Sequence, residues 1–331
     1  MLLLGVLGAV IVLGVMALRP SSLFPDRRSV PPDSPWGIYA LDPTTGTLEL
    51  IYGSSTTLSR LRLNDAGDCL VFSQQIPGGA GSCRLEGTPI DRCMEICRVR
   101  VDGSAFQRLT DDAFMDLCPA WLADDSQIAY LSFRDDLDLW TMQADGSHPV
   151  PLYDSGSHDS DLHASGDTIV FTQHSQIWRM QGNGTQVTQV TAPPRAGEWG
   201  DAVLPFGDYD PHLSPDGTRI VFERLVDDQT PHGNYDLYLI NLDGTGEVAL
   251  TTSGYTQGLP AWAHSGEAII YLVSAIGDEG CYDIYRMNAD GSHIQNLTPA
   301  CFPPDFLCHN PIFSIDDAHI FFIGEWYTPP P

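Results

Sequence analysis

From Trp36 onward the chain repeats one short pattern: an apolar or aromatic residue, a polar turn, then a β-rich triplet. It reads "LRLNDAGDCLVF", "PAWLADDSQIAY", "DLHASGDTIVF", "PHLSPDGTRIVF", "PAWAHSGEAIIY" and "PIFSIDDAHIFF" in turn. The turn residues Gly67, Asp125, Gly166, Gly217, Gly266 and Asp317 lie 58, 41, 51, 49 and 51 positions apart, a spacing steady enough to be structural. A second pattern follows each of the first five: "VRVDGSAFQRLT", "TMQADGSHPVPL", "RMQGNGTQVTQV", "LINLDGTGEVAL" and "RMNADGSHIQNLT". Asp-Gly or Asn-Gly between alternating apolar runs marks a tight hairpin, whose two central residues are both expected at positive φ. Each unit therefore predicts four antiparallel strands, the content of one propeller blade. The sixth unit supplies two strands, around Pro311 to Ser314 and His319 to Gly324. The missing pair is predicted in "WGIYALDPTTGTLELIY", as Trp36 to Leu41 and Leu48 to Tyr52. The expected fold is an all-β, six-bladed propeller over residues 36–327, its last blade closed by strands from both chain ends so that no sheet edge stays open.

Three of these segments, "LSPDGTRIVFE", "YDLYLINLDGT" and "YDIYRMNADGSHIQNLT", resemble the repeats of the TolB-type six-bladed propellers of bacterial envelopes. The resemblance covers residues 36–327. It is strong in blades four and five, fair in two and six, and eroded in one and three, where "NDAG" and "HASG" replace Ser-Pro-Asp-Gly. It does not extend to the amino-terminal α/β domain of TolB, because residues 19–35 are too few for one. The resemblance implies an envelope protein that binds a partner. It also implies that an Asp ahead of an innermost strand is often structural, accepting backbone hydrogen bonds.

The first residues break the pattern. Leu2 to Leu18 is an uninterrupted apolar or glycine run, about 26 Å long as a helix, so residues 1–18 read either as a membrane anchor or as a signal peptide cut after Ala17. The positive-inside rule, applied to Arg19, Arg27 and Arg28, would keep the bulk of the chain in the cytoplasm. Eight cysteines, an even number clustered at expected loops, favour an oxidising compartment instead, and extracytoplasmic placement is the expectation. Residues 19–35 form a Pro-rich spacer, and residues 328–331 a tail.

Charge narrows the function. With 43 acidic residues against 16 basic ones the formal charge is −27, which disfavours nucleic acid as a partner. Lysine is absent, which removes P-loop, Schiff-base and polybasic lipid chemistry. No Gly-x-Ser-x-Gly elbow, His-Glu-x-x-His or dinucleotide fingerprint occurs. Cys93 and Cys97 lack a second pair at zinc-finger spacing, so no metal is expected. Asp135, Asp136 and Asp138 suggest a calcium loop, but without the glycine and distal glutamate of an EF-hand, and calcium stays a minor alternative to no cofactor.

Strand order sorts the connections by face. The long ones, Ser73 to Arg92, Ala192 to Asp208, Arg224 to Asn234, Val273 to Gly280 and Pro299 to His309, all fall on one face, where recognition is expected. Central-mouth candidates are Arg60, Asp116, Asp159, Asp208, Asp210, His309 and Asn310. Trp199, off the repeat in a long loop, is the candidate binding hot spot. Trp140, Trp178, Tyr238 and Tyr285 share one repeat position and read as core. His163, His212, His264 and His309 are expected at four different repeat positions and so not to converge. Cys83 with Cys93, and Cys301 with Cys308, are disulfide candidates pinning loops. The reading favoured is a non-enzymatic propeller that binds an envelope protein or peptide through its looped acidic face, with membrane contact through residues 2–18. The alternatives are a carbohydrate-binding or carbohydrate-active propeller and a structural subunit of a membrane complex.

Overall fold

The computed structural model describes residues 34–76, 84–85, 88–89, 93–228, 233–275, 282–298 and 306–326. The expected hydrophobic helix and most of the spacer lie outside the described residues, as do Cys83, Cys281, Cys301 and the tail. Among the described residues no helix is long and apolar enough to cross a membrane.

Six four-stranded antiparallel sheets build a propeller. From the axis outward, blade 1 is Leu58–Leu63, Cys69–Ile76, Cys93–Arg100 and Gln107–Arg108, and blade 2 is Met115–Trp121, Gln127–Phe133, Leu137–Gln143 and Val150–Tyr153. Blade 3 is Asp159–Ser165, Thr168–Gln173, Gln176–Gln181 and Thr188–Gln189, and blade 4 is Asp208–Leu213, Arg219–Asp227, Asn234–Asn241 and Val248–Ala249. Blade 5 is Tyr255–Trp262, Ala268–Ala275, Asp283–Asn288 and Gln295–Asn296. Blade 6 joins Phe306–Phe313 and Ile320–Trp326 to Trp36–Asp42 and Thr47–Ser54, with Trp36 opposite Glu325 and Leu41 opposite Ile320. In blades 1, 3, 4 and 5 the outermost strand has two residues, which leaves few unpaired backbone groups at the rim.

The core repeats with the blades. Phe72, Tyr130, Phe171, Phe222, Tyr271 and Phe322 occupy one position of the second strand, each at most 2% exposed. Opposite them on the third strand stand Cys97, Trp140, Trp178, Tyr238, Tyr285 and Tyr39. Burying one such large side chain stabilises the fold by roughly 1.5–3 kcal/mol, and the layer recurs in every blade. Trp140, Trp178, Tyr238 and Tyr285 pack against the buried clusters, so they are spent on stability.

The turns show why their residues are Gly, Asp or Asn. All six turn residues between the first and second strands are left-handed, with φ of 75° at Gly67, 58° at Asp125, 56° at Gly166, 66° at Gly217, 73° at Gly266 and 57° at Asp317. Glycine reaches this region without strain and aspartate does not. The two aspartates have compensating partners in the blade before. Asp125 accepts the N–H groups of Asp65 at 2.8 Å and Ala66 at 2.9 Å, and Asp317 those of His264 at 2.7 Å and Ser265 at 2.9 Å. The outer hairpins differ from the expectation: Gly103, Gly146, Gly184, Gly244 and Gly291 are left-handed, but the Asp or Asn before each is not. Those side chains instead accept the N–H two residues on, as Asp102 does from Ser104 at 2.9 Å and Asp243 from Thr245 at 2.9 Å.

Replacing Asp317 by Ala removes two charge-assisted bonds and keeps a strained φ, so urea melts should show a loss of about 1–3 kcal/mol. Asp317→Gly should lose less, because it recovers the backbone part and sacrifices only the link to blade 5.

Candidate functional site

Each innermost strand carries a bulge near the axis, and at each bulge one non-glycine residue is left-handed: Arg60, Cys118, Asp161, Asp210, Leu259 and Asn310, with φ between 47° and 58°. A bulge adds one residue, kinks the strand and re-aims its side chains. Side chains of the neighbouring blade take up freed N–H groups: Arg60 N–H donates to Asn310 Oδ1 at 3.2 Å, Cys118 N–H to Ser73 Oγ at 3.1 Å, and Leu259 N–H to Glu223 Oε2 at 2.9 Å.

Arg60 dominates this level. Its guanidinium leaves blade 1 and pairs with Asp161 of blade 3 at 2.6 Å and with Asp210 of blade 4. Burial works against the Arg60 charge, but the two carboxylates outweigh it and hold its pKa well above the ordinary value. Burial also lifts Asp210, to about 6, against the pull of Arg60. Glu223 is driven well above the carboxylate range by burial and by Asp210. One cation thus ties three blades across the axis.

The other expected mouth residues divide. Asp116, Asp159 and Asp208 lie inside the innermost strands, two positions before the left-handed residue, and all three are 0% exposed. They do not line an open mouth. Asp208 pairs with Arg224 at 2.5 Å, which also holds Glu247 at 2.8 Å, and Asp159 accepts the Ser155 hydroxyl at 3.0 Å. Burial raises Asp116 and Asp159 to about 8. His309 stacks on Trp36, with ring centroids 5.8 Å apart, and lies 3.6 Å from Glu325. Asn310 is buried and serves Arg60.

The histidine expectation needs correction: His163 and His212 occupy one repeat position, two residues past the left-handed Asp161 and Asp210, and stack with ring centroids 3.6 Å apart. Arg62 stands at the same position in blade 1. The signal is present as "RLR", "DLH" and "DPH", but the turn of blade 3 is two residues shorter: His163 lies three positions before Gly166, whereas Arg62 and His212 lie five before Gly67 and Gly217.

Trp199 is 61% exposed, on a well-braced loop. Gly197 N–H donates to the Phe206 carbonyl and Phe206 N–H to that of Glu198, both at 2.8 Å. The Arg195 guanidinium lies 3.4 Å from the centre of the Phe206 ring. Ala202, Phe206, Tyr209, Leu225 and Tyr235 form a small core beneath the loop. Asp201 N–H bonds Asp228 at 3.2 Å, and a side chain at Gly200 would collide with that carboxylate. Val203, 41% exposed, and Tyr255, 53% exposed, add apolar surface on the same face.

Of the calcium candidates, Asp136 and Asp138 come together with Asp154, with ligand atoms all within 4.8 Å of one another, and could hold a divalent cation. Asp135 does not join them, and Asp154 comes from the next connection, beyond the reach of a local motif. Burial first, then Asp136, pushes Asp138 up to about 7. Cys308 is a buried free thiol in blade 6, so the expected Cys301–Cys308 disulfide is corrected. Cys69, Cys97 and Cys118 are free as well, while Cys93 is buried and not among the free thiols.

No family model matches the chain. An uncharacterised protein of Agrobacterium fabrum is 27% identical over 165 residues, 46% of this chain and 53% of that protein, so the chain spans about half the length of the curated relative it matches. A solved structure assigned as TolB of Agrobacterium tumefaciens superposes with a TM-score of 0.65 at 14% identity, covering 88% of this chain and 98% of that one. TolB of Acinetobacter baumannii gives 0.52 at 15% identity, over 82% of this chain and 65% of its own. The fold is a TolB-type six-bladed propeller. An oligogalacturonate lyase in complex with manganese shares the shape, with a TM-score of 0.54 at 10% identity over 88% and 83% of the two chains. A TolB-type propeller therefore does not by its shape separate a binder from an enzyme.

Two predictions follow from the titrating groups of this TolB-type propeller. Asp116, Asp159, Glu95 and Asp138 have folded pKa values near 7 to 8, so the folded state keeps protons that the unfolded chain has released. Their contribution is complete below about pH 4 and lost as pH rises through about 6 to 8. Asp216, lowered to about 2 by hydrogen bonds from Ser214 and Thr218, acts oppositely and is lost in acid. Thermal melts should peak at about pH 4 and decline towards pH 8, and Asp116→Asn should flatten that decline. Arg60→Met should destabilise by about 3–5 kcal/mol, because it leaves Asp161 and Asp210 buried without their cation.

Proposed function

We propose that the protein is a non-enzymatic, extracytoplasmic propeller that binds an envelope protein or peptide through its looped, acidic face, with residues 2–18 as its membrane anchor or export signal. The observation carrying this is Trp199, a large aromatic side chain held 61% exposed by a loop whose own small core and backbone bonds brace it. An anchor fixed before binding loses little conformational entropy on contact. Exposed Val203 and Tyr255 supply neighbouring apolar area, and the net charge of −27 favours a partner with basic groups around an apolar centre. Likeness in fold to TolB supports a protein partner.

The carbohydrate-active reading has one observation on its side, the Asp161 and Asp210 pair with Asp210 raised to about 6. Both carboxylates, however, are bound to Arg60 and at most 10% exposed in their side chains, which leaves neither free to meet a sugar.

Purification of the native protein from its own cells in mild detergent should bring down a stoichiometric partner, and Trp199→Ala should lose it while keeping the wild-type melt. Retention of the partner by that variant would remove the looped face from the reading. Mass spectrometry of the oxidised protein should find Cys83 joined to Cys93 and Cys308 alkylated only after unfolding.

A further inference from the structure

Below the Arg60 level, towards the face of the short turns, the axis changes chemistry. Arg62, His163 and His212 come from blades 1, 3 and 4 and share one position of the repeat. Arg62 crosses towards blade 3, where one terminal nitrogen lies 3.5 Å from the Leu162 carbonyl, while the other donates to its own neighbour Leu61 at 2.9 Å. No carboxylate pairs with it among the described residues, and its buried Nε has no partner at all. In a chain with 43 acidic residues against 16 arginines, an arginine at the axis without a counter-ion is the exception. Asp161 and Asp210, the carboxylates that act on its charge, are both held by Arg60.

The histidines add donors. Leu213 N–H donates to His163 Nδ1 at 3.1 Å, which leaves the ring proton on Nε2. Trp262 N–H makes the same contact with His212 Nδ1 one blade on, at 3.4 Å. That Nδ1 also lies 3.1 Å from the Leu213 carbonyl, so the two contacts call for opposite tautomers, and we take the one that His163 shows. Burial keeps both rings well below the ordinary histidine range, so they are neutral donors, while burial and Arg60 bring Arg62 down only to about 10, still charged at neutral pH. At this level the Arg62 Nε–H and the Nε2–H groups of the two histidines have no acceptor among the described residues, and the terminal nitrogens of Arg62 meet only main-chain carbonyls.

We propose that Arg62, His163 and His212 form an oxyanion site at the short-turn end of the axis, taking a carboxylate or phosphoryl group. The guanidinium supplies charge, and the fixed imidazoles supply direction. The site is separate from the looped face and does not depend on Trp199.

The test uses the full chain at neutral pH, with inorganic phosphate and acetate as probes and chloride at matched ionic strength as the reference. At least one oxyanion should raise the melting temperature saturably and shift the His163 and His212 ring signals in NMR, and which one does so identifies the group preferred. Arg62→Gln should weaken that binding by about tenfold or more, and His163→Gln serves the same comparison if the arginine variant does not fold. Responses no larger than with chloride, or wild-type binding by the folded variants, would overturn the proposal. So would nitrogen NMR showing the His212 proton on Nδ1, which would turn its Nε2 into an acceptor.

Discussion

Six strands converging on one axis cannot all remain regular. Each must bend where the space narrows, and in this protein each bends through a bulge with one left-handed residue that is not glycine. Strain of that kind, on the order of 1–3 kcal/mol per residue, persists only where the surroundings over-determine it. Here they do so by crossing between blades. Arg60 alone bonds blades 3 and 4 through its side chain and blade 6 through its main chain. The axis is therefore held by charge and polar bonds, the rest of each blade by aromatic layers.

What could be read from the sequence was whatever leaves a local trace. A left-handed turn demands Gly, Asp or Asn, and six such turns gave the period and the number of blades. Aromatic residues at a fixed offset from those turns marked the core correctly. The direction of the axial side chains left no such trace. A bulge inserts one residue into the alternation, so positions on the two sides of it no longer share a face. Asp208 and Asp210 look equivalent in an unbroken strand, yet one is sealed inside its blade and the other grips Arg60. The kinship of Arg62, His163 and His212 was hidden by a different irregularity, the blade 3 turn that is two residues shorter than those of blades 1 and 4. Cys308 failed as a disulfide candidate for a related reason: the innermost strand of blade 6 starts at Phe306, so a residue assigned to a loop is in the core.

The two ends of the axis face different environments. On one side the long connection over residues 192–208 carries exposed Trp199 and Val203; on the other, short Asp and Gly turns frame the level of Arg62, His163 and His212. Between them the Arg60 cluster fills the axis with groups that are nearly all satisfied.

Blade 6 has a consequence for how the chain comes to be folded at all. The Trp326 indole N–H donates to the Tyr39 hydroxyl at 3.1 Å across 287 positions of sequence, so the first strands made wait for nearly the last. During synthesis at about 5–20 residues per second, Trp36–Asp42 and Thr47–Ser54 spend many seconds as an orphan hairpin with exposed edges. Joining ends so far apart adds little in loop entropy, since each doubling of length contributes only about 0.6 kcal/mol. The burden is one of time and exposure, and it falls on the hairpin bearing Ile38 and Tyr39, both of which the finished blade buries.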